Sequence, residues 1–510
     1  MIYASIIVEA LRVRPVLVFW LAAIGQALMW FLVPTLFYAA PPGNLAEVLT
    51  IGHAYRLGTL FGPPLAYWVA DLAYTLAGGR LGGIYLLSQL CVLLTLWNLM
   101  RLGTSIVGVR QSVLAILLMV GVSAAVVPTP DFGPYVLAMP LWSLILLHTW
   151  RIFDEGRRRY WFILAIEIGL LLLTTWLALV LIALLDLFLI ATRRGRELLR
   201  TLDPWLCFLI VVLTVLPYAL WLASQQDLLQ PVLAGWRPPE PVPGAVTWLR
   251  LLVGLMLAHA GALLLVAVAS GWPSRRRRAP RVERSATSQS GMRFVIFFAV
   301  APPLVASVAA VFYTPVPSLV TAAPLVLLSG LAVVLLAGEV IRLHRQYLLA
   351  YTWLGLLIVA PIIVALGVTV LPRLLPVEVR AAQPAEAIAA FFADTFERRT
   401  GRPLAIVAGD RRLASLVAVG ARSRPHQFID EKITPWIDGN DIKTRGAVVL
   451  WPATDTRGNP PPEIKARFPE LVLEVPQAFE RPFQVFGPPL RVGWAMIRPG
   501  ISNQGSGIRP

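Results

Sequence analysis

Long apolar stretches, each close to the length that crosses a bilayer, recur along this chain until Pro372, where a more polar, mixed pattern takes over. A helix rises about 1.5 Å per residue, so roughly 20 mostly apolar residues are needed to traverse about 30 Å of hydrocarbon. The candidate stretches are 16–38, 82–100, 112–127, 135–150, 160–192, 205–223, 246–270, 294–313, 318–340 and 347–371. The one from Tyr160 to Thr192 exceeds a single crossing. Arginines flank it on both sides (Arg157 to Arg159, then Arg193, Arg194, Arg196 and Arg200), so the positive-inside tendency folds it into a tight hairpin. The pattern predicts a mainly α, polytopic transmembrane helical bundle of about 11 spans. The same bias puts Arg12, Arg14, Arg101, Arg110, Arg342, Arg345 and the basic loop 275–293 on the cytoplasmic side, and an odd number of crossings leaves the tail outside.

Two outer segments are too long to be turns. Residues 39–81 mix prolines and glycines with apolar positions at helical spacing (Leu45, Val48, Leu49; Leu65, Trp68, Val69, Leu72), which predicts helices lying in the membrane interface. Residues 225–247, rich in Pro and Trp, form a second outer loop. The tail alternates short β-rich runs with helical ones. Helices are expected at 384–399, near Leu413 and at 463–468, and strands at 403–409, 447–451 and 471–476, with Asp410 placed to cap a helix after a strand. This predicts a small C-terminal extracytoplasmic α/β domain over 372–510, following a transmembrane domain over 1–371 that carries the first outer loop.

Composition agrees. Hydrophobic residues make up 57% and charged residues 14%, with mean hydropathy +0.71, too apolar for a chain solvated on all sides. The formal net charge of +16 would suggest a nucleic-acid ligand in a soluble protein, but here the arginines sit between spans and orient the chain, so no nucleic-acid partner is expected. Cys91 and Cys207 fall in apolar segments and read as small buried hydrophobes. The stretch 16–38 is too long for a signal-peptide core and is expected to stay as the first span.

Ionisable groups in apolar stretches are costly and mark function by default, which singles out Glu167, Asp186 and Glu339. Each lies near a span end, where structural pairing is the plainer reading. His259 reads as a hydrogen-bonded packing residue. No zinc-type Cys/His spacing, P-loop or dinucleotide fingerprint occurs. Aromatic residues of the outer loops (Tyr55, Phe61, Tyr67, Trp68, Trp236, Trp248) suit membrane anchoring as well as sugar stacking.

The first outer loop reads PPGNLAEVLTIGHAYRLGTLFGPPLAYW over 41–68, with Asn44-Leu45-Ala46-Glu47, Gly62-Pro63-Pro64-Leu65 and Trp68 as its landmarks. In the tail stand TGRPLAIVAGDRRLAS (400–415), SRPH (423–426), TPWID (434–438) and GAVVLW (446–451). Together these resemble the GT-C integral-membrane glycosyltransferases of the protein mannosyltransferase and aminoarabinose transferase superfamily, family 39, of alphaproteobacterial type. The resemblance implies a bacterial inner membrane protein with its C-terminal domain in the periplasm. It implies a polyprenyl-phosphate sugar donor, and a lipid, glycan or protein acceptor whose hydroxyl attacks at the outer face. Glu47 and Asn44 occupy the catalytic positions; Arg56, Arg80, Pro63, Pro64, Tyr67 and Trp68 are placed toward the donor phosphate and its lipid. No cofactor is required, and a divalent metal is optional without a dedicated cage.

The departures are as informative as the matches. Where the family has a catalytic Asp, this chain has Asn44, and a neutral amide does not take a proton as a carboxylate does. The family's His before Pro-Pro is Gly62, and its Lys in a later span falls within Thr174-Thr175-Trp176. Two readings follow: Glu47 serves as base while Arg56 or Arg80 meets the phosphate, or the chain is a non-catalytic lipid- or glycan-binding protein on the same scaffold. A transporter would call for inverted repeats, and none is evident.

Overall fold

The structure, a computed structural model, describes residues 9–58, 62–127, 129–224, 244–271, 281–284, 286–312, 322–375, 377–430, 434, 436–453, 458–483 and 489–500. Most of the second outer loop, including Trp236, together with Phe61 and the run Arg275 to Arg278, lies outside them. The helices in chain order are α1 (Pro15–Phe37), α2 (Leu45–His53), α3 (Leu65–Leu76), α4 (Gly82–Val107), α5 (Val109–Met119), α6 (Pro134–Phe153), α7 (Tyr160–Leu172), α8 (Ala178–Ala191), α9 (Arg193–Leu199), α10 (Asp203–Ser224), α11 (Gly244–Ala258), α12 (Ala260–Ser270), α13 (Gln289–Phe312), α14 (Ser329–Leu336) and α15 (Gln346–Thr369). The tail adds α16 (Leu371–Leu374), α17 (Ala385–Thr400), α18 (Arg411–Gly420), α19 (Gly439–Arg445) and α20 (Pro462–Arg467). By contacts the chain falls into two compact units. One comprises 1–35, 61–66 and 82–363; the other comprises 36–60, 67–81 and 364–510.

The first unit is helical, and every apolar stretch read from the sequence contains a helix. Among the described residues six of these are long and apolar enough to cross a membrane (α1, α4, α6, α10, α13 and α15), and α11 with α12, bent by 47° at their junction, brings the count to seven if the pair is one span. The expected count of about 11 thus differs from what helix length supports. Stretches 112–127, 160–192 and 318–340 hold only short apolar helices, and a helix such as α7 reaches about 20 Å. The break between α7 and α8 has a local cause: the Thr175 hydroxyl accepts from Leu177 N at 3.2 Å, offering the backbone an alternative to the helical ladder. Glu339 is exposed at the turn after α14, outside any span. Here the short strands β1 (Arg281–Glu283) and β2 (Val340–Arg342) pair antiparallel.

Helices in this unit meet through small and polar side chains, as they must where lipid supplies no hydrophobic drive. Asn98 donates to Ser143 Oγ at 3.1 Å and Gln89 to Thr129 Oγ1 at 3.1 Å. At Gly261 a Cβ would lie 2.7 Å from the Gly121 carbonyl oxygen. Outward-facing Leu206, Phe208, Leu209, Leu213 and Leu220 on α10, and Tyr351, Ile362, Ile363 and Leu366 on α15, form the apolar surface that hydrocarbon solvates.

In the second unit a five-stranded mixed sheet is ordered β4-β3-β5-β7-β6, with β3 (Ile406–Gly409), β4 (His426–Phe428), β5 (Ala447–Pro452), β6 (Gln477–Phe479) and β7 (Leu490–Ile497). β3 pairs parallel with β4 and β5; β7 runs antiparallel to β5 and β6. Strand alternation sends Val407, Val448 and Leu450 to one face, against Ile388, Phe392, Phe396, Leu413 and Val417 of α17 and α18. Ile406, Ala408, Val449 and Trp451 go to the other, with Phe428, Ile437 and Ile442. The expected helices and the strands at 403–409 and 447–451 are present. The run 471–476 makes only an isolated bridge, Leu473 to Ala495, and the edge strand begins at Gln477. Pro476 before it and the outward Val472 and Val475 explain why an apolar run did not pair.

The helices α2 and most of α3, from the first outer loop, group with this sheet domain.

Candidate functional site

The site residues separate by unit. Asn44, Glu47, Arg56, Tyr67, Trp68 and Arg80 belong to the unit holding the tail, while Gly62, Pro63 and Pro64 belong to the helical unit.

Asn44 stands at the N-cap position of α2 without a side-chain cap bond. Its Oδ1 instead accepts from Arg380 Nη1 at 3.4 Å. The Ala381 carbonyl fixes this pairing, because it accepts from both Ala39 N and Ala40 N at 2.8 and 3.0 Å. One turn into α2, Glu47 Oε2 pairs with Arg411 Nη2 at 2.5 Å, and its carboxylate is about one quarter exposed. Arg411 opens α18. That helix starts where it does because Gly409, at φ 102°, passes so close to Leu450 that any Cβ would collide with its carbonyl. Asp410 then caps the helix, accepting from Arg412 N and Leu413 N at 3.1 and 2.9 Å.

At the other end of α2 lies a network the sequence reading did not single out. Asp71 on α3 is 1% exposed and is ion-paired with Arg424. His53 Nδ1 lies 3.7 Å from it, within ion-pair reach but too far for a direct hydrogen bond, and Tyr55 is hydrogen-bonded to it. Burial alone would raise the Asp71 pKa, yet His53, Arg424 and Tyr55 together hold it below the usual carboxylate range. Burial raises the Tyr55 pKa, with Asp71 adding to it. Both Tyr55 and Arg424 adopt left-handed backbone (φ 46° and 48°), a conformation that costs a side-chain-bearing residue about 1–3 kcal/mol and is tolerated where surroundings over-determine it. The Arg424 guanidinium also covers the Tyr74 ring at 4.5 Å. His426 stacks on His53 at 5.2 Å, and burial followed by the neighbouring His53 and arginines lowers its pKa.

Arg56 lies over the Trp436 ring at 5.2 Å, and its carbonyl accepts from Trp68 Nε1 at 3.0 Å. Tyr67 is buried where α3 meets Gly52, whose missing Cβ would sit 2.1 Å from the Tyr67 carbonyl. Arg80 is exposed after the left-handed Gly78 and Gly79. Thus Asn44 and Glu47 each meet an arginine of the tail and Arg56 meets Trp68 and Trp436, whereas Arg80 makes no ion pair among the described residues.

In the helical unit, two positions singled out in the sequence, Gly62 and Trp176, come together. A Cβ at Gly62 would point at Trp176 Nε1 from 3.9 Å, and that indole nitrogen is buried without a hydrogen-bond partner. Pro63 and Pro64 are buried beside it, and Leu65 N donates to Leu173 O at 2.9 Å. Glu167 is paired with His148 Nδ1 at 2.8 Å under a stacked Tyr160, a structural arrangement that uses its charge. His259 bridges the Leu255 carbonyl and Ser329 Oγ at 2.7 and 2.8 Å where α11 bends into α12, the packing role expected of it. Asp186 lines a cavity of about 460 Å³ among α7, α8 and α10. No group of three or more metal-ligating side chains occurs among the described residues.

The family model for the dolichyl-phosphate-mannose-protein mannosyltransferases matches residues 62–221. Among solved structures, ArnT from Cupriavidus metallidurans bound to undecaprenyl phosphate is similar over 96% of this chain and 99% of its own, at 15% identity and TM-score 0.58. ArnT in the apo state is similar over 94% and 97%, at 13% identity and TM-score 0.51. No curated protein matches the chain. The fold is similar to that of these ArnT structures along nearly the whole chain.

Proposed function

We propose that this chain is a GT-C glycosyltransferase and that it moves a sugar from a polyprenyl-phosphate donor to a lipid, polysaccharide or protein acceptor at the periplasmic face of a bacterial inner membrane. The observation that carries this reading is the fold, similar along nearly the whole chain to a structure that holds undecaprenyl phosphate. The match of residues 62–221 to the mannosyltransferase family model supports it.

In this reading Glu47 takes the proton of the acceptor hydroxyl. The oxygen bonds to the sugar's anomeric carbon as the bond from that carbon to the phosphate oxygen breaks, and the phosphate leaves with the electron pair. Asn44, a turn away, orients by hydrogen bonding and takes no proton. Arg56 and Arg80 lie on the donor side with Tyr67 and Trp68, while Pro63 and Pro64 shape the chain beside the lipid. The reaction needs no cofactor, and a divalent metal is optional.

A second reading, a non-catalytic lipid- or glycan-binding protein, is favoured by the Glu47–Arg411 pair, which engages the only carboxylate left at the catalytic positions. One experiment separates the two: purified protein in lipid discs, incubated with polyprenyl-phosphate sugars and a mixed envelope acceptor fraction. Transfer that drops at least about 100-fold in Glu47→Gln supports catalysis, since a general base contributes about 10²–10⁴. Absence of transfer in the wild-type chain, with lipid binding intact, supports the second reading.

A further inference from the structure

The cavity of about 460 Å³ in the helical unit is a groove that the proposed reaction does not use. Its wall follows α7 from Trp161 through Leu164 and Ile168 to Leu172, about 16 Å of helix. One leaflet of hydrocarbon is about 15 Å deep, half of a bilayer core. Leu179, Phe208, Val212 and Leu216 line the groove and are exposed, so it opens sideways to where lipid stands. A groove of this length and lining fits one fatty chain of one leaflet.

Its two ends differ. Around Leu172 and Ala219 it is apolar, whereas at the other end Thr149 and Trp161 line it with a hydroxyl and an indole N–H that are buried without hydrogen-bond partners. The two residues are 4% and 8% exposed. Other threonines of the bundle satisfy themselves on the carbonyl four residues back, as Thr95, Thr174 and Thr214 do at 2.7, 2.7 and 2.8 Å. Thr149 does not, and buried donors left open in this way call for a partner from outside. Asp186, the one carboxylate on the wall, is exposed and stands five residues before the end of α8, about 8 Å along it, where water and headgroups still reach a side chain. The same end carries surplus positive charge. Arg157, Arg158, Arg193 and Arg194 are paired with Glu155, Asp203, Glu197 and Asp154, while Arg159, two residues before Trp161, and Arg200, next to the groove-lining Leu199, make no ion pair among the described residues.

We propose that this groove holds one acyl chain of an ester-linked phospholipid from the leaflet on the arginine side, the cytoplasmic one by the charge bias. The ester carbonyl accepts from Thr149 and Trp161, the phosphate sits among the arginines, and the second chain stays in the bilayer. An ester group at that depth is what separates this occupant from a polyprenyl chain, which has no acceptor to offer the two donors. The inference goes beyond the proposed sugar transfer and does not rest on it.

The test uses the full chain, purified and stripped of lipid, with phosphatidylglycerol carrying a photo-reactive group midway along one acyl chain. Cross-links should map to 164–172 and 211–219. Ala219→Trp, which fills the apolar end, should remove them, and Leu213→Trp, on an exposed position of α10 outside the groove, should not. The wild type should bind ester-linked phosphatidylglycerol about tenfold more tightly than its ether-linked analogue, which lacks the carbonyl, and Thr149→Val/Trp161→Phe should abolish that preference. The ester and ether comparison on the wild type stands even where a variant fails to fold. Cross-links absent from the groove, equal binding of ester and ether lipids, or displacement of the probe by polyprenyl phosphate as readily as by phosphatidylglycerol overturns the proposal. Failure of sugar transfer leaves it untouched.

Discussion

Replacing Asp71 with Asn tests whether the buried network beneath the first outer loop holds that loop to the tail domain. The substitution keeps shape and one acceptor but removes the charge opposite Arg424, whose side chain is only 17% exposed. Breaking a buried pair from one side costs about 3–5 kcal/mol, because the remaining charge is left uncompensated. The Tyr74 face, worth about 0.5–2 kcal/mol to the guanidinium, and the retained amide oxygen pull the expectation to the lower end, about 3 kcal/mol. Tyr55 and Arg424 are held in left-handed backbone through the same carboxylate, so its loss should also free them. Hydrogen exchange on peptides covering 45–58 and 411–428 reads the effect locally. About 3 kcal/mol corresponds to exchange roughly 100-fold faster there, with little change in α4 and α6. The double variant Asp71→Asn/Arg424→Gln should be less destabilised than the sum of the single changes, since it removes both charges. A single-variant effect below tenfold, or strict additivity in the double, would refute the reasoning.

Acid should act on the same region in two stages. His426 has a folded pKa below its unfolded value of about 6.5, so the unfolded chain binds the extra proton, and stability falls as pH drops below about 6.5. Asp71 has a folded pKa below its unfolded value of about 3.9, so its contribution is complete above about pH 4 and is lost as pH falls through the folded pKa. Thermal unfolding followed from pH 8 to pH 3 should show both, and His426→Gln should remove the first while leaving the second; a flat profile between pH 7 and 5 in the wild type would contradict it. Restoring the family's histidine by Gly62→His should destabilise the helical unit by about 1–3 kcal/mol, because φ there is 124°, a conformation side chains rarely adopt. A variant with unchanged unfolding temperature would show that the backbone rotates freely to accept it.

Hydropathy alone placed every apolar helix, because a lipid solvent leaves few other solutions for such stretches. It did not give their lengths. The Thr175 hydroxyl breaks the long stretch 160–192 through a local bond that adds almost nothing to an apolar average. The tail strands were legible where alternation met turn residues, as at Gly409-Asp410, and illegible at 471–476, where the pairing partner decides. At the site, sequence reading reached Asn44 and Glu47 through a motif, but a motif carries no information about what a distant segment sets opposite them. Asp71 sits at one polar position in an otherwise apolar helical pattern, and its partners Arg424 and His426 are some 350 residues away in sequence. A lone Asp on the buried face of an amphipathic helix is the signal that was there to use, since burying such a charge is tolerated only with a partner.

The same reasoning changes how the departures at 44 and 62 are weighed. Read as a motif, each is a loss. In the fold, Gly62 occupies a backbone conformation suited to glycine, and Asn44 accepts a hydrogen bond from Arg380. Asn44 takes no proton, so a catalytic reading puts the base at Glu47, whose carboxylate Arg411 engages. The Glu47–Arg411 pair is therefore the feature on which the two readings divide, because catalysis requires that carboxylate to leave the arginine for an acceptor hydroxyl and binding does not.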